Sequence, residues 1–135
     1  MFDNILLPTD GSESSKKAIK ATIAFAKKNG SRVIGLSVEE NHPYFPYADL
    51  EDATSVAKAN VRKIQELAAN SNVPCNVYTE KGSSVHEEIL QSAARHGCDA
   101  IFIGSHGHKG LDRLLLGSVA QKVLIDSPIP VVVFK

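Results

Sequence analysis

An excess of charge of either sign is missing from this chain. Its 135 residues carry fifteen Lys and Arg against fifteen Asp and Glu, for a formal net charge of zero. A broad nucleic-acid or membrane footprint needs a basic surplus, so neither partner is expected. Cysteine is scarce too. Cys75 and Cys98 stand alone without CxxC spacing, which opposes a disulfide framework and favours two small, partly buried thiols in a reducing setting. No apolar run approaches the roughly 20 residues of a membrane span. The opening Met1-Phe-Asp-Asn4 lacks the basic start and long apolar stretch of a secretory signal. A cytoplasmic location is therefore expected. There is no low-complexity tract. The remaining composition, 43% hydrophobic and 22% charged, reads as one ordinary globular domain over residues 1–135.

The chain alternates two kinds of segment. Residues 4–7 are a short apolar run stopped by Pro8, which removes a ladder donor. Thr9-Asp10-Gly11-Ser12 follows as a turn, with Ser12 or Ser14 available to cap a helix that runs to Asn29. Ile19, Ile23 and Ala26 give that helix its apolar face, Lys27 and Lys28 complement its negative end, and Gly30 stops it. A second strand is expected over 32–38. An irregular loop containing Pro43 and Pro46 comes next, its aromatics able to line a pocket or cover apolar surface. A long helix over about 49–69 carries the stripe Ala53, Val56, Ala57, Val61, Ile64, Leu67 and Ala68. Residues 76–79 form a third strand, and Lys81-Gly82 a turn. Ser84 and Glu87 have capping-box spacing for a helix faced by Val85, Ile89, Ala93 and Ala94 and ended by Gly97. A fourth strand over 99–104, a helix over 118–125 and a last strand over 130–134 complete the series.

Five apolar strands alternating with four helices imply an α/β fold, a doubly wound parallel sheet with helices on both faces. Ligands of such sheets bind beyond the carboxyl ends of the strands, where strand order reverses. Three segments share that edge: the loop from Pro8 to Ser12, the end of the second strand at Val38 and Glu39, and a glycine-punctuated loop from Gly104 to Ser118. That loop has glycines at 104, 107, 110 and 117 and leads into a helix start, where Ser118 and the N–H groups of Ser118 and Val119 suit an anion.

Each element has a plainer reading. The glycines can simply turn the chain, and Lys109 and Arg113 can be solvated as well as bind phosphate. Asp10 can accept from ribose hydroxyls or hold a phosphate-bound metal, or else form a cap or turn. His106 and His108 are a poor metal pair, Asp112 reads as a surface carboxylate, and no nucleophile–base pair stands out. The common phosphate loops are absent: there is no GxxxxGK[ST], and residues 104–109 are not GxGxxG.

The spacing Gly104-x2-Gly107-x9-Gly117-Ser118 resembles that of the nucleotide-binding universal stress proteins. The likeness extends to the opening Ile5-Leu-Leu-Pro-Thr-Asp-Gly-Ser12, to Lys81-Gly82, to residues 99–107 and to the closing Pro130-Val-Val-Val133. It implies a three-layer, five-stranded parallel sheet of order 3-2-1-4-5, like that of adenine nucleotide alpha hydrolases, and a homodimer joined through the last strands. It further implies ATP, with Mg2+, as ligand. Adenine would lie near backbone groups at the end of the second strand, at Val38 and Glu39, and the ribose or metal region near Asp10 with Pro8 and Thr9. Gly104 and Ser105 would open the loop, and Gly107, Gly117, Ser118 and Val119 would hold the phosphates. The implied role is a stress-response sensor or partner-binding module with a protein partner yet to be named. A slow ATP hydrolase and a nucleotide-independent dimeric scaffold are the alternatives.

Overall fold

In a computed structural model that describes residues 2–40, 50–106 and 116–135, strand and helix alternate along the chain. The order is β1 (Asn4–Pro8), α1 (Glu13–Asn29), β2 (Arg32–Glu40), α2 (Leu50–Asn70), β3 (Cys75–Gly82), α3 (Val85–Arg95), β4 (Ala100–Gly104), α4 (Ser118–Asp126) and β5 (Val131–Phe134). Every strand pair is parallel. The sheet order is β3-β2-β1-β4-β5, as expected from the family likeness.

The central strand explains the layering. Ile5, Leu6 and Leu7 are fully buried, because a strand covered on both sides has no face to spare for polar residues. Leu6 points with Leu36, Ile101 and Ile103 into a core closed by Ile89 of α3 and Val123 of α4. Leu7 points the other way, with Ile19 and Ile23 of α1 and Ile64 of α2. Helices α1 and α2 thus cover one face and α3 and α4 the other.

Helix α1 starts and stops where the sequence indicated. The Ser12 hydroxyl accepts from the Ser15 N–H at 3.2 Å. Gly30 sits at φ 73°, a left-handed turn that a side chain would strain. Helix α2 is narrower than its stripe. Ala57, Val61, Ile64 and Ala68 are buried, whereas Ala53, Val56 and Leu67 are exposed, since one helix face on a sheet covers only the positions spaced i, i+4, i+7 and i+11.

Two boundaries differ from expectation. Strand β2 runs on to Glu40, and it carries β3 with it: Lys81 pairs with Glu39 and Gly82 with Glu40. Lys81-Gly82 is therefore the end of a strand, and the turn follows it. The capping box also does not form. Ser84 is the N-cap of α3, but its side chain makes no cap hydrogen bond, because its Oγ pairs instead with His86 Nδ1 at 3.0 Å. On the inner face of α3, Ser92 joins Ile89 and Ala93, while Ala94 is exposed. The expected aromatic loop around Pro43 to Tyr47 lies outside the described residues.

Both thiols are free. Cys98 lies in the core beside α3, and burial, aided by the Asp99 charge, pushes its pKa from 9.0 to about 11. The native thiol favours folding fully below about pH 9, and this contribution is lost as pH rises through about 11. Native Cys98 should react with iodoacetamide at about pH 8 at least about tenfold more slowly than the unfolded chain, because burial both suppresses its thiolate and shields it. Peptide mapping of timed samples reads this directly, and equal native and unfolded rates would refute it.

Candidate functional site

All five strands point their carboxyl ends at one edge of the sheet. Strand order reverses between β1, whose chain moves on to β2, and its other neighbour β4. A cleft of about 670 Å³ opens there. Its floor includes Val38, Ile89 and Ile103, and its rim is polar.

The β1 side of the rim is built by local hydrogen bonds. Asp10 Oδ1 accepts from the Ser12 N–H at 2.9 Å and from the Ser15 hydroxyl at 2.8 Å. Asp10 thus orders the turn, while Ser12 caps the helix. The two roles weighed for Asp10 coexist, because the carboxylate is exposed and lines the cleft as well. Thr9 is buried; its N–H donates to Leu36 O at 2.8 Å, and its hydroxyl accepts from the Gly11 N–H at 3.2 Å.

The β4 side is tied to this turn. Gly104 lies so close to α1 that an added Cβ would stand 2.8 Å from the Ser14 backbone carbon. Ser105 is fully buried. Its N–H donates to Phe134 O at 2.8 Å, its carbonyl accepts from the Gly117 N–H at 2.6 Å, and its hydroxyl pairs with His106 Nδ1 at 2.7 Å. Ser105 is a staple between the strand end and the start of α4. The Ser12 hydroxyl donates to His106 O at 3.2 Å, and the His106 N–H donates to Ser14 Oγ at 3.2 Å. Those bonds link residues some ninety positions apart.

On the third side stands α4. Gly117 is its N-cap, without a side-chain cap bond, and Ser118 and Val119 follow on the cleft wall. The first N–H groups of a helix lack intrahelical acceptors, so this end suits an anion.

Of the residues singled out from sequence, Pro8, Thr9, Asp10, Val38, Gly104, Ser105, Gly117, Ser118 and Val119 all line this one cleft. Glu39 does not. Strand alternation turns its side chain toward α2, where it is buried, accepts from the Thr54 hydroxyl at 3.2 Å and lies 4.0 Å from Lys81 Nζ. Its neighbour Glu40 lines the cleft instead. Gly107, His108, Lys109, Gly110, Asp112 and Arg113 lie outside the described residues.

Sequence reasoning missed the α3 wall: Ser83, Ser84, Val85 and His86, together with Lys122 of α4. The signal was available, since the end of β3 shares the same edge as the other strand ends, and Lys122 follows Ser118 by one helical turn. The structure also pairs the Ser84 hydroxyl with His86 Nδ1 at 3.0 Å and the Ser105 hydroxyl with His106 Nδ1 at 2.7 Å. Among the described residues, no group of three or more His, Cys, Asp or Glu is set to hold a metal. Nor is any described helix long and apolar enough to cross a membrane.

Fold and cleft together define a doubly wound α/β domain with a ligand-sized site at its topological switch point. The profile of the universal stress protein family matches residues 1–135, and the chain belongs to that family. It is 31% identical to the universal stress protein MJ0531 of Methanocaldococcus jannaschii, over all of this chain and 83% of that one. Among solved structures, the protein MJ0577 is similar at 33% identity and a TM-score of 0.88, covering all of this chain and 96% of the other. Two more distant structures share the fold. One is a universal stress protein in complex with cAMP, at 20% identity and TM-score 0.77, covering 99% of this chain and 97% of that one. The other is an Arabidopsis thaliana family protein with AMP bound, at 19% identity and TM-score 0.73, covering 98% and 90%.

Proposed function

We propose that this chain is a single-domain, ATP-binding stress-response protein that works as a homodimeric, nucleotide-dependent sensor or partner-binding module. The observation that carries the reading is convergence. Asp10 from the β1 end, Val38 from the β2 end, and Gly117, Ser118 and Val119 from the start of α4 meet at one cleft of about 670 Å³. That volume suits a nucleotide-sized ligand. The apolar floor at Val38 suits a base, and the helix start suits phosphates. Relatives of the same fold with AMP and cAMP bound support an adenine nucleotide.

Magnesium fits the donor chemistry. Asp10 and Glu40 place two carboxylates on the rim, and a hard cation would reconcile them with a polyphosphate. Asp10 would hold it. When bound, the ion would neutralise phosphate charge. Dimerisation is supported by β5, which is an edge strand with four half-buried residues. An unpaired apolar edge favours pairing with a second chain. The neighbouring helix α4 leaves Leu124 and Ile125 exposed.

A slow ATP hydrolase is the second reading, favoured by the Ser84–His86 pair on the cleft wall. Ser84 and His86 together would orient a water beside a bound phosphate. Positioning and electrostatics would supply most of the acceleration.

Titration calorimetry with ATP and Mg2+, on protein stripped of endogenous nucleotide, tests the main reading. Saturable binding with a Kd of about 100 μM or tighter is expected. No heat across the range from micromolar to millimolar, with equilibrium dialysis agreeing, would exclude it and leave a nucleotide-independent scaffold.

A further inference from the structure

We infer that Lys122 sets nucleotide preference by reading the outer phosphates of a bound adenine nucleotide; this rests on the nucleotide-binding reading above. Three observations converge on it. Lys122 lies one turn beyond Ser118 and Val119, and all three line the cleft. Residues three and four apart share a helix face, and helical side chains lean toward the N-terminus. The Lys122 stem therefore carries its ammonium back toward the helix start that receives the phosphates.

Charge is the second observation. Among the described lining residues, Lys122 is the one Lys or Arg, set against Asp10 and Glu40. A monophosphate held at the Ser118 and Val119 N–H groups needs little more than the helix end. Each further phosphate adds negative charge, and along the α4 wall the cationic group that can meet it is Lys122.

The third observation concerns Asp126. It follows Lys122 by four residues, the spacing at which a carboxylate holds a lysine on a helix surface. Here its Oδ2 lies 3.9 Å from His86 Nε2 on α3, and His86 Nδ1 is 3.0 Å from the Ser84 hydroxyl. Asp126 thus faces His86 across the α3–α4 interface. Lys122 makes the contact with the nucleotide in this arrangement.

The test compares ATP and AMP, both with Mg2+, on stripped wild-type protein and on the Lys122→Gln and Lys122→Arg variants, by calorimetry at low and moderate salt. The wild type should prefer ATP. Lys122→Gln should cut the ATP-over-AMP preference about tenfold, the scale of one charge-assisted contact, and flatten the salt dependence of ATP affinity. Lys122→Arg should keep most of both. Residue 122 is on the helix surface, so melting temperatures should agree and certify the fold. A preference unchanged by Lys122→Gln, an equal loss for both nucleotides, or a wild type indifferent between them overturns the inference while leaving the nucleotide site intact. Wild-type protein that binds neither nucleotide refutes the function itself.

Discussion

Gly104→Val is expected to destabilise the fold by at least about 3 kcal/mol, the upper range for overpacking a site that cannot yield. The obstacle is backbone. A Cβ at position 104 would stand 2.8 Å from the Ser14 carbonyl carbon and 2.9 Å from its oxygen. No rotamer change relieves such a contact; α1 must withdraw from β4. The same shift would break the bonds of Ser14 Oγ to the His106 N–H at 3.2 Å and to Phe134 O at 3.5 Å. Urea unfolding followed by circular dichroism measures the effect. Gly104→Ala should lie between the two extremes, and a valine variant as stable as the parent would show that the α1–β4 contact is not rigid.

Gly117→Val should do the opposite: keep the fold and lose the ligand. Gly117 sits at φ −61° and ψ 155°, an extended conformation that valine adopts without strain. Its N–H still reaches Ser105 O at 2.6 Å, and its carbonyl still accepts from the Gln121 N–H at 2.9 Å. The added branched side chain, however, stands at the mouth of the α4 start, where phosphate oxygens must approach bare N–H groups. A loss of about a hundredfold in ATP affinity, near 2.7 kcal/mol, is expected with little change in melting temperature. Unchanged affinity would move the phosphates elsewhere. A variant that binds no nucleotide yet keeps every partner interaction would favour the scaffold reading.

How much of this was legible in the sequence depends on what each residue responds to. Short apolar runs such as residues 5–7 and 101–103, bounded by turn residues and alternating with helical stripes, read as buried strands of a covered sheet, so the class of fold follows from pattern. The ends of α1 were readable because Ser12 and Gly30 act on their own backbone neighbours. Glu39 was harder. Its place away from the cleft depends on the pleat of β2 and the extra pairing of Glu40 with Gly82, and no local preference encodes that register. Ser84 was missed as a wall residue for a related reason. Its spacing to Glu87 advertises a capping box, but His86 competes for the hydroxyl and wins. Lys122 and Asp126 are ordinary surface residues in sequence, and only the packing of α3 against α4 gives them a setting.

The hydrogen bonds that seal the cleft carry a kinetic consequence. Ser12 reaches His106 over 94 positions, and Ser14 reaches Phe134 over 120. Contacts of such long range form late, because loop closure must come before they repay it. The turn after β1 is made early in synthesis, yet Ser12 meets His106 only once β4 has joined the sheet, and Ser14 meets Phe134 only once β5 has. A ligand that prefers this cleft therefore stabilises the chain in which these distant segments have met over every form in which they have not.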